Sequence, residues 1–253
     1  MAEIILSNRM QALTDMVTPG TVITDVGCDH GFVSVYLVQK GISPRVIAMD
    51  VRSGPLEHAR EHIREYGLED RIETRLSDGL HSLKTGEAAG MICAGMGGPL
   101  MEKILTEGRE QAKGFRELIL QPQSEIPHFR TFLTEEGYLL MDENINYEEG
   151  KYYFMMKVRW LGEMSEDAVR SQVRESWKAD DAASGLAGQL GPILLYRKCP
   201  LLLNYVKIAK RLEQEADAAN PKTMWRRQEI AEETALLTRA LEWYDNGKEP
   251  DCI

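Results

Sequence analysis

The chain has 253 residues, 43% of them hydrophobic, and a formal net charge of -10, enough to bury a full core and too acidic to coat nucleic acid without preference. The N-terminal MAEIILSNRM has no basic segment leading into an apolar block, and no stretch approaches the roughly 20 apolar residues that span a bilayer, so a cytoplasmic protein is expected. Cys28, Cys93, Cys199 and Cys252 form neither CxxC pairs nor a compact framework, which argues against structural zinc and secretion; no metal is expected.

From residue 21 to 160, apolar runs with strand character alternate with amphipathic stretches, as βαβ units of a parallel sheet do in sequence. TVITDV leads through GCDHG into GFVSVYLVQKG, and RVIAMDV into GPLEHAREHIREYG; RIETRLS comes before AGMICAG, which leads into GPLMEKILTEGREQA, and ELILQP leads into SEIPHFRTFLTEEG. Pro55 and Pro99 mark helix starts, where a missing N–H costs nothing, and Gly67 and Gly137 stand where a left-handed residue ends a helix. LLMDENINYEEGKYYFMMKVRW reads as two strands around YEEGK, an antiparallel hairpin that closes the sheet.

Residues 1–160 are therefore read as one α/β domain with a mostly parallel central sheet, and the polar residues 161–192 as a connecting segment with a short helix over SEDAVRSQVRESW. Two long helical patterns follow, LLLNYVKIAKRLEQEADAA and KTMWRRQEIAEETALLTRALEWYD, separated by Asn220 and Pro221. Leu203, Val206, Leu212, Ile230, Leu237 and Leu241 form an apolar seam, so residues 193–253 are expected to make an antiparallel helical hairpin of coiled-coil type.

A parallel sheet binds ligands beyond the carboxyl ends of its strands, and ITDVGCDHG lies there. Gly27 and Gly31 permit close approach, and Asp25 closes the strand. The spacing is DxGxxxG rather than GxGxxG, and Asp29 puts a carboxylate where a pyrophosphate would bind, which weakens a dehydrogenase reading. S-adenosylmethionine fits better: it is cationic, lacks phosphate, and needs acidic groups for its ammonium and ribose hydroxyls. Asp50 and Val51 end the second strand at the ribose position, Asp78 and Gly79 follow the third near the adenine, and Ala94, Gly95, Met96 and Gly97 follow the fourth. Singly, an Asp at a strand end is often only a helix cap and a glycine cluster only a turn. Together, in order along one sheet edge, they point to a Rossmann-like methyltransferase. Cys28 has no activating base beside it and reads as a small spacer rather than a nucleophile.

LSNRM, DVGCDHGF, AMDVRSGPLEHA, SDGL, AGMGG, LILQPQ and EEGKYYFMM together resemble the bacterial tRNA (adenine(22)-N1)-methyltransferase family over about residues 4–245. The resemblance implies a class I methyltransferase fold, S-adenosylmethionine as methyl donor, tRNA as substrate, and a C-terminal hairpin in the service of RNA. The family commonly has DHAY and QPN; this chain has DHGF and Gln121-Pro122-Gln123, so Phe32 lacks a hydroxyl and Gln123 carries a longer amide.

Methylation of adenine N1 needs alignment and electrostatics more than covalent help from the protein. Asp29 is the candidate to stabilise the positive charge on the methylated base and to accept the N6 proton; helix cap and ammonium ligand are its competing readings. His30 orients Asp29, meets a substrate phosphate, or packs as a core histidine, and Phe32 stacks on the target base or belongs to the core. Gln121 and Pro122 lie at the acceptor side, where an amide reads an adenine edge or satisfies loop backbone. Arg9 folds over the pocket toward a phosphate or stays on the surface. Arg197, Lys198, Lys207, Lys210 and Arg211, then Lys222, Arg226 and Arg227, with Tyr196, Tyr205 and Trp225 interleaved, make either a tRNA-binding face or a solvated helix face. The alternatives are a class I methyltransferase for a small molecule or protein, its tail used for dimerisation, and a non-catalytic cofactor-binding interaction protein. A monomer or weak homodimer is expected.

Overall fold

Continuous apolar runs mark β1 (Ile23–Val26), β2 (Val46–Asp50) and β5 (Glu117–Pro122), and all three are buried along their whole length, as parallel strands covered on both faces must be. The computed structural model describes residues 3–161, 188–219, 235, 237, 238 and 240–242. The chain divides into two compact units, Met1–Val173 and Arg174–Ile253; the division falls inside the stretch read from sequence as a connecting segment.

The first unit adds β3 (Ile72–Leu76), β4 (Gly90–Met96), β6 (Tyr138–Glu148) and β7 (Lys151–Trp160) to make a seven-stranded sheet of order β3-β2-β1-β4-β5-β7-β6. β1 to β5 pair in parallel, β7 runs antiparallel to β5, and β6 lies outermost, paired with β7. The hairpin turns on Glu149 and Gly150, both at positive φ (48° and 81°), the two-residue turn whose twist matches that of its strands.

The expected helices are α2 (Phe32–Gln39), α3 (Ser53–Glu65), α4 (Gly98–Glu107) and α6 (Ile126–Glu135). Gly67 and Gly137 follow α3 and α6 at φ 64° and 82°, the left-handed stops expected of them. GPLMEKILTEGREQA breaks at Gly108 into α4 and α5 (Arg109–Gly114), and Leu80 packs so closely there that a Cβ at that glycine would come within 2.6 Å of Leu80 Cβ. In the first unit one helix was not read from the sequence: α1 (Asn8–Asp15), capped by Ser7 Oγ, which accepts from Met10 N–H at 3.4 Å.

In the second unit, α7 (Pro192–Tyr196) precedes α8 (Pro200–Ala219). Leu202 and Val206, one turn apart on α8, are fully buried, and Leu237 and Ala240 are buried among the described helical residues 235, 237, 238 and 240–242. Asn220, Pro221, Lys222, Trp225, Arg226, Arg227, Ile230, Cys252, the helix expected over SEDAVRSQVRESW, and the side chains of Tyr196, Arg211 and Leu212 lie outside the described residues. No helix among the described residues is long and apolar enough to cross a membrane.

Candidate active site

The end of β2 organises the loop that leaves β1. Gly27 and Cys28 both donate to the Met49 carbonyl, at 2.8 and 2.9 Å, and Gly31 N–H closes the turn on the Cys28 carbonyl at 2.8 Å. Asp29 takes φ 49°, a left-handed conformation that Asp tolerates better than most residues, and its N–H donates to Asp50 Oδ2 at 3.2 Å. Asp50 Oδ1 accepts from Arg52 N–H at 2.9 Å, with the Arg52 guanidinium 3.7 Å away. The buried Asp50 carboxylate is thus built into the loop, while the Asp29 side chain is 60% exposed at the sheet edge.

The N-cap of α2 is Gly31, with no side-chain cap bond, so Asp29 is not a helix cap. Beneath the loop, Asp25 is buried and accepts from Ser34 Oγ at 2.6 Å. Burial pushes its carboxyl up to about 6, with the Ser34 bond opposing and the Asp50 charge adding. The Cys28 thiol is driven upward by burial first, then by Asp25, Asp50 and Asp29, which keeps it unreactive and leaves it the small spacer it was read to be.

Along the same edge, Val51 is 59% exposed and Asp78 is exposed beside Gly79, whose φ is 53°. Ser77 N–H ties this corner to the Asp50 carbonyl at 2.9 Å. The end of β4 is bulged between Ala94 and Met96, with Gly95 exposed at φ 79°. A Cβ on Gly27 would collide with Met96 Cε, so the β1 and β4 loops approach over bare backbone. Gly98 N–H donates to the Ser124 carbonyl at 3.2 Å, and a Cβ there would lie 2.8 Å from that oxygen; Gly97 enters at the same point.

On the acceptor side, Gln121 is fully buried and Pro122 buried. Arg9 Nη1 donates to Gln121 Oε1 at 2.8 Å, and Gln121 Nε2 donates to the Pro122 carbonyl at 3.1 Å. Arg9 also meets Glu148, through its N–H at 3.2 Å and its Nε at 3.5 Å, and lies 4.7 Å over the Tyr153 ring. The arginine folds over the sheet edge, where these contacts hold it on a buried amide and a carboxylate. His30 is 45% exposed rather than a core histidine, and its Nε2 is 3.7 Å from Asp29 Oδ2. Phe32, 43% exposed, is not core either.

The structure brings Asp25, Gly27, Asp29, His30, Phe32, Asp50, Val51, Asp78, Gly79, Ala94, Gly95, Met96, Gly97, Gln121, Pro122 and Arg9 to the carboxyl edge of one sheet. Arg197, Lys198, Lys207 and Lys210 belong to the second unit; Arg197 and Lys207 are exposed and Lys198 and Lys210 half-buried. Sequence reasoning missed Ser34, Glu148 and Tyr153. Ser34 had a signal: it is the one serine among the apolar residues of FVSVYLV, and a buried hydroxyl needs a partner. Glu148 and Tyr153 had none, since their pairing with Arg9 spans 139 and 144 positions of sequence.

This edge fits a cationic nucleoside ligand. Four acids stand at its strand ends, Asp25, Asp29, Asp50 and Asp78, and Gly27 and Gly95 keep the backbone bare between them. The loop after β1 forms no phosphate cradle of successive free N–H groups, because those of Gly27, Cys28, Asp29 and Gly31 are already bonded. Among the described residues no group of three or more His, Cys, Asp or Glu is arranged to hold a metal ion.

Comparison with known proteins agrees. A methyltransferase domain model matches residues 6–156. The tRNA (adenine(22)-N(1))-methyltransferase of Bacillus subtilis is 32% identical over 254 residues, covering 96% of this chain and 99% of its own. The crystal structure of the B. subtilis m1A22 tRNA methyltransferase TrmK superposes with a TM-score of 0.79 at 29% identity, over 94% of this chain and 100% of that one. A Streptococcus pneumoniae protein solved in complex with S-adenosyl-L-methionine gives 0.78 at 26% identity over the same shares.

Proposed function

The chain belongs to the tRNA (adenine(22)-N1)-methyltransferase family, and we propose that it methylates N1 of adenine 22 in tRNA with S-adenosylmethionine as donor. The observation that carries this reading is that the relation to the B. subtilis enzyme runs nearly end to end, through the second unit as well as the methyltransferase domain.

S-adenosylmethionine supplies a methyl group activated on a sulfonium. The work of this chain is to hold donor and base in line and to manage charge. Asp50 and Asp78 are the acceptors for ribose and adenine groups, with Val51 exposed as an apolar face beside them. Asp25 offers a buried negative charge toward the amino-acid head. Gly95, Met96 and Gly97 line the passage in which base and donor meet. The N1 lone pair would form the new bond to carbon as the carbon–sulfonium bond breaks, the sulfur leaving as a neutral thioether, and the positive charge then falls on the adenine. Asp29 stabilises that charge from the loop and takes the N6 proton when it leaves. Phe32 offers an exposed ring for the base, and Gln121, oriented by Arg9, backs the acceptor pocket.

The exposed Arg197 and Lys207, with Lys198, Lys210 and Arg211, meet tRNA phosphates, and binding should weaken steeply with salt. The enzyme acts in the cytoplasm, where its substrate is, as a monomer or weak homodimer. The test is transfer of labelled methyl from S-adenosylmethionine to unmodified tRNA, to a protein extract stripped of RNA, and to a small-molecule extract. Label in the tRNA alone supports the reading; label in either of the others with none in tRNA defeats it.

A further inference from the structure

Helix α3 presses on the catalytic loop with residues one turn apart. A Cβ placed on Gly31 would lie 3.0 Å from Ala59 Cβ and 3.4 Å from Ala59 Cα, so helix and loop touch at van der Waals distance. Three residues on, and so on the same face, His62 makes two further contacts. Its Nδ1 is 2.9 Å from the His30 carbonyl oxygen. A carbonyl only accepts, so that nitrogen carries the proton. Its ring stacks on Phe32, with centroids 4.5 Å apart and planes at 26°.

One side chain therefore holds both ends of the segment that follows Asp29: the peptide of His30 by a hydrogen bond, the ring of Phe32 by stacking. The centroids of His30, Phe32 and His62 form a triangle of sides 5.9, 4.5 and 6.0 Å. His30 and His62 thus do not enclose Phe32 from opposite faces, and 43% of Phe32 stays exposed.

We propose that His62 is a positioning residue for methyl transfer: it fixes the plane of Phe32 against which the target base stacks, and it fixes the His30 peptide that sets the direction of the Asp29 carboxylate. The inference rests on the function proposed above. It extends that function to a residue 33 positions from Asp29 in sequence, on helix α3. Misplacement of a base by about 1 Å costs on the order of 100-fold in rate, and loss of this support should lie between that and tenfold.

The experiment compares full-length wild type with His62→Ala, His62→Asn and His62→Phe. Asn keeps a donor near the place of Nδ1 without the ring, and Phe keeps the ring without the donor. His62→Ala should lower kcat on tRNA tenfold to 100-fold, leave the affinity for S-adenosylmethionine within twofold, and speed hydrogen exchange at the Gly31 amide. Each of the other two variants should recover part of kcat, and Asn should restore the slow exchange. In a Phe32→Ala background, His62→Ala should cost less than it does in wild type, because the ring it supports is gone and only the loss of the His30 bond remains.

Unchanged kcat and unchanged exchange in His62→Ala would overturn the inference, as would full additivity with Phe32→Ala or an equal loss of cofactor affinity. If the wild type methylates no tRNA, the proposed function fails, and the exchange result still decides whether His62 holds the loop.

Discussion

The backbone N–H of Asp29 donates to the buried carboxylate of Asp50 at 3.2 Å, so the acid that ends β2 clamps the loop that presents the proposed proton acceptor. Asp50 also accepts from Arg52 N–H at 2.9 Å. Asp50→Asn keeps the shape but offers only one accepting oxygen to two N–H groups. An unsatisfied buried donor costs roughly 1–3 kcal/mol. The variant should lower the melting temperature and weaken S-adenosylmethionine binding at least about tenfold by calorimetry. Binding unchanged would mean that Asp50 serves the loop alone.

Asp25 makes stability depend on pH in a direction unusual for a carboxylate. Its folded value, about 6 against 3.8, lies above the unfolded one, so the folded state holds the proton more tightly. Stability should fall as pH rises between those values and stay level above them. Asp25→Asn removes the charge and retains an oxygen for Ser34. It should stabilise the protein at pH 7 by on the order of 3 kcal/mol or less, with the advantage vanishing below both pKa values, as read by urea unfolding. The same variant should bind S-adenosylmethionine more weakly, because the charge that burdens the fold is the one proposed to meet the ammonium. Equal stability at pH 7 would contradict the dominance of burial.

Arg9 ties α1 to the acceptor side through Gln121 and Glu148. Arg9→Ala leaves the fully buried Gln121 oxygen without its donor and should lower kcat about tenfold or more, with cofactor affinity within twofold. Arg9→Lys should recover little, since an ammonium cannot reproduce the guanidinium fork that meets amide and carboxylate together. Loss of cofactor binding in Arg9→Lys would place the residue on the donor side instead.

The pattern of acids and glycines at strand ends was legible because a parallel sheet sends every loop of one edge to the same place. DVGCDHG, Asp50 and the AGMGG bulge therefore landed together, in the order their strands dictate. Other features were not legible. α1 was missed because NRMQALTD is short and weakly apolar; it is ordered by the Ser7 cap and by Glu148, far away in sequence. At Gly108, where α4 ends, the close approach of Leu80 that excludes a Cβ had no local signal. Asp29 read locally as a candidate helix cap, and only the left-handed turn at Gly31 takes that role away from it.

Asp29→Asn is the substitution that separates chemistry from shape. Asparagine tolerates the left-handed backbone that Asp29 adopts, so the loop should persist, and the Asp29 N–H bond to Asp50 does not involve the side chain. General-base contributions run to about 10²–10⁴-fold. We expect kcat to fall at least 100-fold, with melting temperature and cofactor affinity preserved. A loss below threefold would reduce Asp29 to a spectator.

The measurement that bears most directly on the proposed function is methyl transfer from labelled S-adenosylmethionine to tRNA transcripts identical except for adenine, guanine or uracil at position 22, with the product base mapped. Incorporation confined to the adenine transcript, and recovered as N1-methyladenine at that position, is the predicted result. Equal incorporation into all three, or methyl mapped to another nucleotide, would contradict it.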